Sequence, residues 1–228
     1  MGKLIVIEGG DGSGKTEQVK LLARHLNEAG HQVKIWDFPQ YGKTIAGDLV
    51  GEMLKGKFGD LMAIHPLLAA MPYALDRVAV REEMVEWMER GGVALCNRYT
   101  GSNLAHGAAK FENRKDAINF MEEVIRMEFG DNGLPIPDVS LYLATDAELS
   151  RELVLRKSGR EYLEGKVMTD QAERDLEHQR KARGIYEFMC ERVTWFARIE
   201  CMGGPGKIES IEVIHERVWA ELNRRLIV

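Results

Sequence analysis

The feature that most narrows what this chain can fold into is the octet Gly9-Gly10-Asp11-Gly12-Ser13-Gly14-Lys15-Thr16, set directly behind the apolar run Leu4-Ile5-Val6-Ile7. It meets G-x-x-x-x-G-K-[ST] at every fixed position, between a predicted strand and a predicted helix, as that pattern requires. Behind it Val19, Leu22, Ala23 and Leu26 recur with the i, i+3, i+4, i+7 spacing of one helix face. Glycines let the loop wrap closely around an anion, and the N–H groups of the helix start point into it. Gly9, Gly10, Gly12, Ser13 and Gly14 are therefore the expected phosphate cradle. Lys15 is expected to reach the outer phosphates, and the Thr16 hydroxyl to sit on Mg²⁺. A nucleoside triphosphate is the expected ligand.

The remaining composition limits the alternatives. A hydrophobic fraction of 45% and a charged fraction of 29% over 228 residues fit an ordinary globular protein, and one domain spanning 1–228 is expected. The net charge of −5 gives no global reason to bind nucleic acid polymer or an anionic membrane, so phosphate affinity must come from local groups. Cys96, Cys190 and Cys201 are odd in number and form no C-x-x-C pair, which suggests neither a disulfide framework nor a zinc site. The N-terminal apolar run ends at Glu8, too short for a signal peptide or a membrane span. A reducing cytoplasm is the expected compartment.

Strand-like runs at 4–7, 33–36, 93–96, 139–143 and 195–199 alternate with helical patterns at 16–28, 66–90, 115–129, 170–191 and 208–225. Pro72 implies a kink or restart in the second helix, whose Leu67, Met71, Leu75, Val78 and Val85 stripe reads as core or subunit interface. Such alternation predicts an α/β fold. With the phosphate loop it becomes a three-layer P-loop NTPase sandwich: a five-stranded parallel sheet flanked by helices, with a lid segment.

Ligands of such sheets bind beyond the carboxyl ends of the strands. After the second strand stands Phe38-Pro39-Gln40-Tyr41-Gly42; after the third, Asn97-Arg98-Tyr99 with Ser102, Asn103 and His106 at another helix start. Arg98 offers a planar fork of donors suited to phosphate, and Ser102 reads equally well as an N-cap. Tyr73, Asp76 and Arg77 share a helix face, where an aromatic and an arginine can stack on a base and bond its edge or simply belong to core and solvated ion pair. Arg156, Lys157, Arg160 and Lys166, punctuated by Gly159 and Gly165, fit either a solvated charge run or a lid over about 156–169.

Taken together, Ile7 to Thr16, Phe38 to Gly42, Ala74-Leu75-Asp76-Arg77, Asn97-Arg98-Tyr99 with Ser102-Asn103, and Gly133-Leu134-Pro135-Ile136-Pro137-Asp138 resemble the thymidylate kinases, over nearly the whole chain. The phosphate loop alone is generic; the order and spacing of the set are far more specific. The resemblance implies transfer of the ATP γ-phosphate to dTMP with Mg²⁺, and a homodimer packed partly through residues 66–90. It implies Asp11 beside the acceptor sugar and the transferring group, Tyr73 stacked on thymine, Arg77 on the base edge and Phe38 lining the acceptor pocket. Arg98 would hold the acceptor phosphate, Asn103 and His106 would contact the base and screen for deoxyribose, and Glu173 would be a lid-proximal carboxylate. Because position 12 is glycine, the loop supplies no cation beyond Lys15, and Arg156 or Arg160 is expected to act from the lid.

Two positions depart from the family pattern. Asn97 stands where an aspartate usually helps hold hydrated Mg²⁺, so the charge is lost and metal binding should weaken. A slower kinase, a kinase whose metal leans on Thr16 and Glu8, and a catalytically weakened nucleotide-binding regulator all remain open. Ala172 is smaller than the aromatic often found near the sugar, which leaves room for another pyrimidine monophosphate as acceptor. No N-K-x-D tetrapeptide supports a GTPase.

Overall fold

The computed structural model describes residues 2–150, 153, 176–225 and 227. Arg156, Arg160, Ala172, Glu173 and the expected lid lie outside them. The five apolar runs form β1 (Lys3–Glu8), β2 (Val33–Asp37), β3 (Val93–Asn97), β4 (Val139–Ala144) and β5 (Phe196–Glu200). They make one parallel sheet in the order β2-β3-β1-β4-β5. The helices bounded within the described residues include α1 (Lys15–Glu28), α2 (Ile45–Leu54), α3 (Pro66–Val78), α4 (Arg81–Glu89), α5 (Thr100–Ala108), α6 (Arg114–Ile125), α7 (Leu176–Arg192) and α8 (Ile211–Arg224).

β1 explains the layering. Its alternate residues Ile5 and Ile7 pack with Val19, Leu22 and Leu26 of α1 and with Ile214, Val218 and Leu222 of α8. Leu4 and Val6 face the other way, against Trp36 and Met84. A strand covered on both faces reads as an unbroken apolar run, which is why the sequence showed it. α5, α6 and α7 cover the second face through Leu104, Phe120, Val124 and Tyr186. Truncating a fully buried leucine such as Leu22 would cost about 2–5 kcal/mol.

Three helical expectations are corrected. The 66–90 segment is two helices, yet the break is not at Pro72, which sits inside α3. Proline removes one N–H donor, and the carbonyl it would have served belongs to exposed Leu68, where water can take the bond. The chain turns instead at Ala79 and Val80, whose N–H bonds the Arg77 carbonyl at 3.2 Å. The 115–129 helix leaves α-geometry after Ile125 and winds as a π-turn over Arg126–Asp131. The last helix starts at Ile211, because Ser210 caps it and Lys207–Ile208 is taken up in a small hairpin with Met202–Gly204. Sequence periodicity also missed α2, a helix of only ten residues capped by the Thr44 side chain.

Candidate active site

The phosphate loop adopts the backbone its glycines permit. Gly12 and Gly14 have φ of 79° and 87°, and an added Cβ at Gly14 would meet nothing, so conformation rather than space requires glycine there. Lys15 is buried and its Nζ donates to the Gly10 carbonyl at 2.7 Å, with Asp11 Oδ1 3.9 Å away. Burial, reinforced by the neighbouring Arg98 charge, pulls the Lys15 ammonium down to about 7. Burial alone would raise the Asp11 carboxyl, but Arg98 and Lys15 outweigh it and hold Asp11 at about 2.

Arg98 follows directly on β3 with φ 63°, a left-handed conformation costing a non-glycine residue roughly 1–3 kcal/mol. There its Nη2 donates to Asp11 Oδ1 and its Nη1 to Ser102 Oγ at 3.1 Å. Burial disfavours the guanidinium charge, yet the Asp11 carboxylate more than restores it, raising Arg98 above its ordinary value. One cation thus joins the phosphate loop to the first turn of α5.

Ser102 is not the N-cap of α5. Tyr99 holds that position without a side-chain cap, and Glu8, at the end of β1, serves the orphan donors instead. Glu8 Oε1 accepts from the Tyr99 and Ser102 N–H groups at 2.9 and 3.1 Å, and Oε2 from Ser102 Oγ at 2.7 Å and Tyr186 Oη at 3.0 Å. These bonds occupy both carboxylate oxygens, which overturns the notion of a metal leaning on Glu8. Burial raises its carboxyl above the ordinary value in spite of these donors.

Arg77 lies fully inside, paired with Glu128 through Nε at 2.8 Å and Nη2 at 2.7 Å. Glu128 also accepts from Thr100 Oγ1 at 2.7 Å and Asn103 Nδ2 at 2.8 Å. The π-turn after α6 aims this carboxylate inward, and such turns recur at functional sites. Asn103 gives its other amide hydrogen to the Ala70 carbonyl at 3.1 Å. Asp76, expected in a solvated ion pair if not at a base, is buried; it accepts from Gln40 N at 2.8 Å and from Thr44 Oγ1. It fixes the loop after β2 to α3.

These residues open on a single cavity of about 800 Å³, lined by Asp11, Gly12, Gly14, Lys15, Thr16, Phe38, Tyr73, Arg77, Asn97, Arg98, Ser102, Asn103 and His106. That size suits a small organic ligand or two adjoining ones. Gly9 and Ser13 shape the loop from behind: an added Cβ on Gly9 would stand 2.7 Å from Ser13 Oγ. Gly10 lines a smaller neighbouring pocket with Asp11 and His106. His106 lies 3.4 Å from His178 Nε2 through its own Nδ1. Burial and then the Arg98 charge depress His106 to about 3, so its ring is neutral at physiological pH.

Sequence reasoning missed three contributors. Asp37 ends β2 opposite Asn97 and lines the cavity; the carboxyl-end rule, applied one residue earlier, would have found it. Glu128 carried no signal, because its partner is 51 residues away. Lys110, also lining the cavity, donates to the Leu61 and Ile64 carbonyls and so ties α5 to the segment before α3. Among the described residues, no helix is long and apolar enough to cross a membrane, and no group of three or more His, Cys, Asp or Glu could hold a metal by itself.

Comparisons with known proteins agree with this geometry. The thymidylate kinase family model matches residues 7–200. The chain is 36% identical over 211 residues to a thymidylate kinase of Mycobacterium tuberculosis, covering 91% of this chain and 95% of the relative. It is 32% identical over 216 residues to one from Pelotomaculum thermopropionicum, covering 93% and 91%. The solved thymidylate kinase of Candida albicans superposes with a TM-score of 0.74 at 20% identity, over 99% of this chain and 93% of that one, which speaks for the fold. With the family model spanning most of its length and its motifs meeting in one cavity, this chain belongs to the thymidylate kinase family.

Proposed function

We propose that this chain transfers the γ-phosphate of ATP to dTMP, giving dTDP and ADP, with Mg²⁺ as cofactor. The observation that carries this reading is the shared cavity: Lys15 and Thr16 of a phosphate loop line the same space as Tyr73, Arg77 and Asn103, and Arg98 links the two groups. Phosphoryl transfer asks the protein for alignment and for cations near the equatorial oxygens. Lys15 supplies one cation to the donor phosphates. Arg98, released in part from Asp11, supplies a second to the acceptor phosphate. Asp11 stays ionised beside both.

Tyr73 and Phe38 offer the aromatic walls for a base, and the Asn103 amide, whose donors are committed to Ala70 and Glu128, presents Oδ1 as an acceptor for a base N–H. Arg77 is held so firmly by Glu128 that its role is to set the base-reading wall as much as to touch the base. His106, neutral, and Asp11 line the cavity where sugar selection is assigned. Glu173, Arg156 and Arg160 keep the roles that the family resemblance gives them.

The donor set suits a hydrated divalent cation. Thr16 and Asp37 line the cavity, and Asn97 Oδ1 is buried with no hydrogen-bond partner among the described residues. Mg²⁺ keeps several waters and takes few protein ligands, so a sparse oxygen set is what it needs. When bound, the cation neutralises phosphate charge; Thr16 and Asn97 would hold it and its water. Asn97, neutral where the family has aspartate, is the one residue favouring nucleotide binding without fast turnover.

Leu68, Met71 and Leu75 stand exposed on α3, with Ile45 and Leu49 exposed on α2. An apolar face of this kind supports a homodimer through α2 and α3. Coupled ADP release with ATP, Mg²⁺ and dTMP tests the activity: turnover supports the reading, and no turnover with intact ATP binding would refute it.

A further inference from the structure

Position 97 leaves a charge unaccounted for. Hydrated Mg²⁺ is held through one or two carboxylates together with phosphate oxygens, yet the end of β3 offers an amide. The parallel register places Asp37, the last residue of β2, directly beside Asn97, and the backbone bond from Phe38 N to the Asn97 carbonyl at 3.0 Å holds the two strand ends together. In a parallel pair, residues in register project to the same side of the sheet.

The cavity-lining carboxylates narrow the choice. Asp11 is engaged by Arg98 and lies 3.9 Å from Lys15. Glu17 pairs with Lys20 at 3.2 Å on the exposed flank of α1. Asp37 makes no ion pair among the described residues and lines the same space as Thr16 and Asn97. Burial raises the Asp37 carboxyl above its ordinary value, opposed by the hydrogen bond from the Asn97 side chain and by the Arg98 charge, while Asn97 Oδ1 remains buried and unpartnered.

We propose that Asp37 is the carboxylate that holds the hydrated Mg²⁺ of the nucleotide, with Asn97 orienting it and offering Oδ1 to a metal-bound water, so that the negative charge sits one strand over from its usual place in the family. The inference rests on the phosphotransferase reading and adds a specific residue to it. It also accounts for the tolerance of asparagine at position 97: the charge has moved rather than vanished.

The test is an equilibrium one. Mn²⁺ binding to the full chain with a non-hydrolysable ATP analogue and dTMP is followed by water-proton relaxation, in wild type, Asp37→Asn, and the exchanged pair Asp37→Asn/Asn97→Asp. The expected result is a loss of about 10–100-fold in Mn²⁺ affinity for Asp37→Asn, the scale seen when a supporting ligand contact is removed, with recovery in the exchanged pair. Wild-type affinity in Asp37→Asn, with an unchanged urea midpoint, would overturn the proposal. If Asp37→Asn unfolds, Asp37→Ser in the same titration takes its place, with the same loss supporting the proposal and wild-type affinity overturning it. dTMP binding by calorimetry without divalent cation separates the two ideas: a wild type that binds and phosphorylates dTMP, but whose metal affinity ignores position 37, overturns this inference alone.

Discussion

Arg77 and Glu128 form a two-pronged ion pair, at 2.8 and 2.7 Å, with neither side chain reaching solvent. It joins α3 to the π-turn beside the cavity, and Asn103 and Thr100 bond the same carboxylate. Removing one partner of a buried pair strands the other charge, at about 3–5 kcal/mol. Glu128→Leu should therefore lower the urea-unfolding free energy by that order and raise KM for dTMP. Arg77→Leu/Glu128→Leu should recover much of the stability but not the KM. Equal stability in the single and double variants would contradict the coupling.

A second prediction concerns protons. Lys15 sits near 7 in the free site because burial and Arg98 oppose its charge. A bound triphosphate favours the ammonium and raises that value, so above pH 7 binding should draw in about one proton. Below pH 7 the lysine is already charged and the coupling fades. ATP affinity should thus fall as pH climbs from 7 to 9. Calorimetry in buffers of differing ionisation enthalpy measures the uptake, and none at pH 8.5 would contradict it.

Arg98 should be sensitive even to conservative change. Its guanidinium reaches Asp11 and Ser102 at once, a span that the single ammonium of lysine cannot copy. Arg98→Lys should lose about 10²–10³-fold in kcat/KM for dTMP, the scale of one lost charge-stabilising donor. Its urea midpoint should hardly move, and wild-type kinetics would exclude Arg98 from the acceptor site.

The third cationic group of the reading comes from residues 156–169. Gly12 brings no side chain to the phosphates, so one of Arg156 and Arg160 should carry transition-state charge. One alanine variant should lose roughly 10³-fold or more in kcat while KM for dTMP stays close to wild type. Two near-normal rates would remove the lid arginine from the account.

Much of this was legible beforehand, for reasons that differ by element. β1 and the phosphate loop announce themselves because a doubly covered strand is continuously apolar and a glycine-rich anion loop has few alternatives. Arg98 was legible from its place just past β3. Its partner geometry was not, because the left-handed backbone that turns it onto Asp11 depends on Glu8 seating the start of α5. Glu128 was invisible, since only the π-turn carries it under Arg77. The break between α3 and α4 was misplaced because Pro72 advertises a break that the solvent-facing side of α3 absorbs.

The central claim, that this cavity phosphorylates dTMP, is tested most directly by ADP release with ATP and Mg²⁺ across a panel of deoxy- and ribonucleoside monophosphates. The account predicts the highest kcat/KM with dTMP and a marked loss for the ribonucleotides. Turnover centred on another nucleotide, or silence across the panel with ATP still bound, would contradict it.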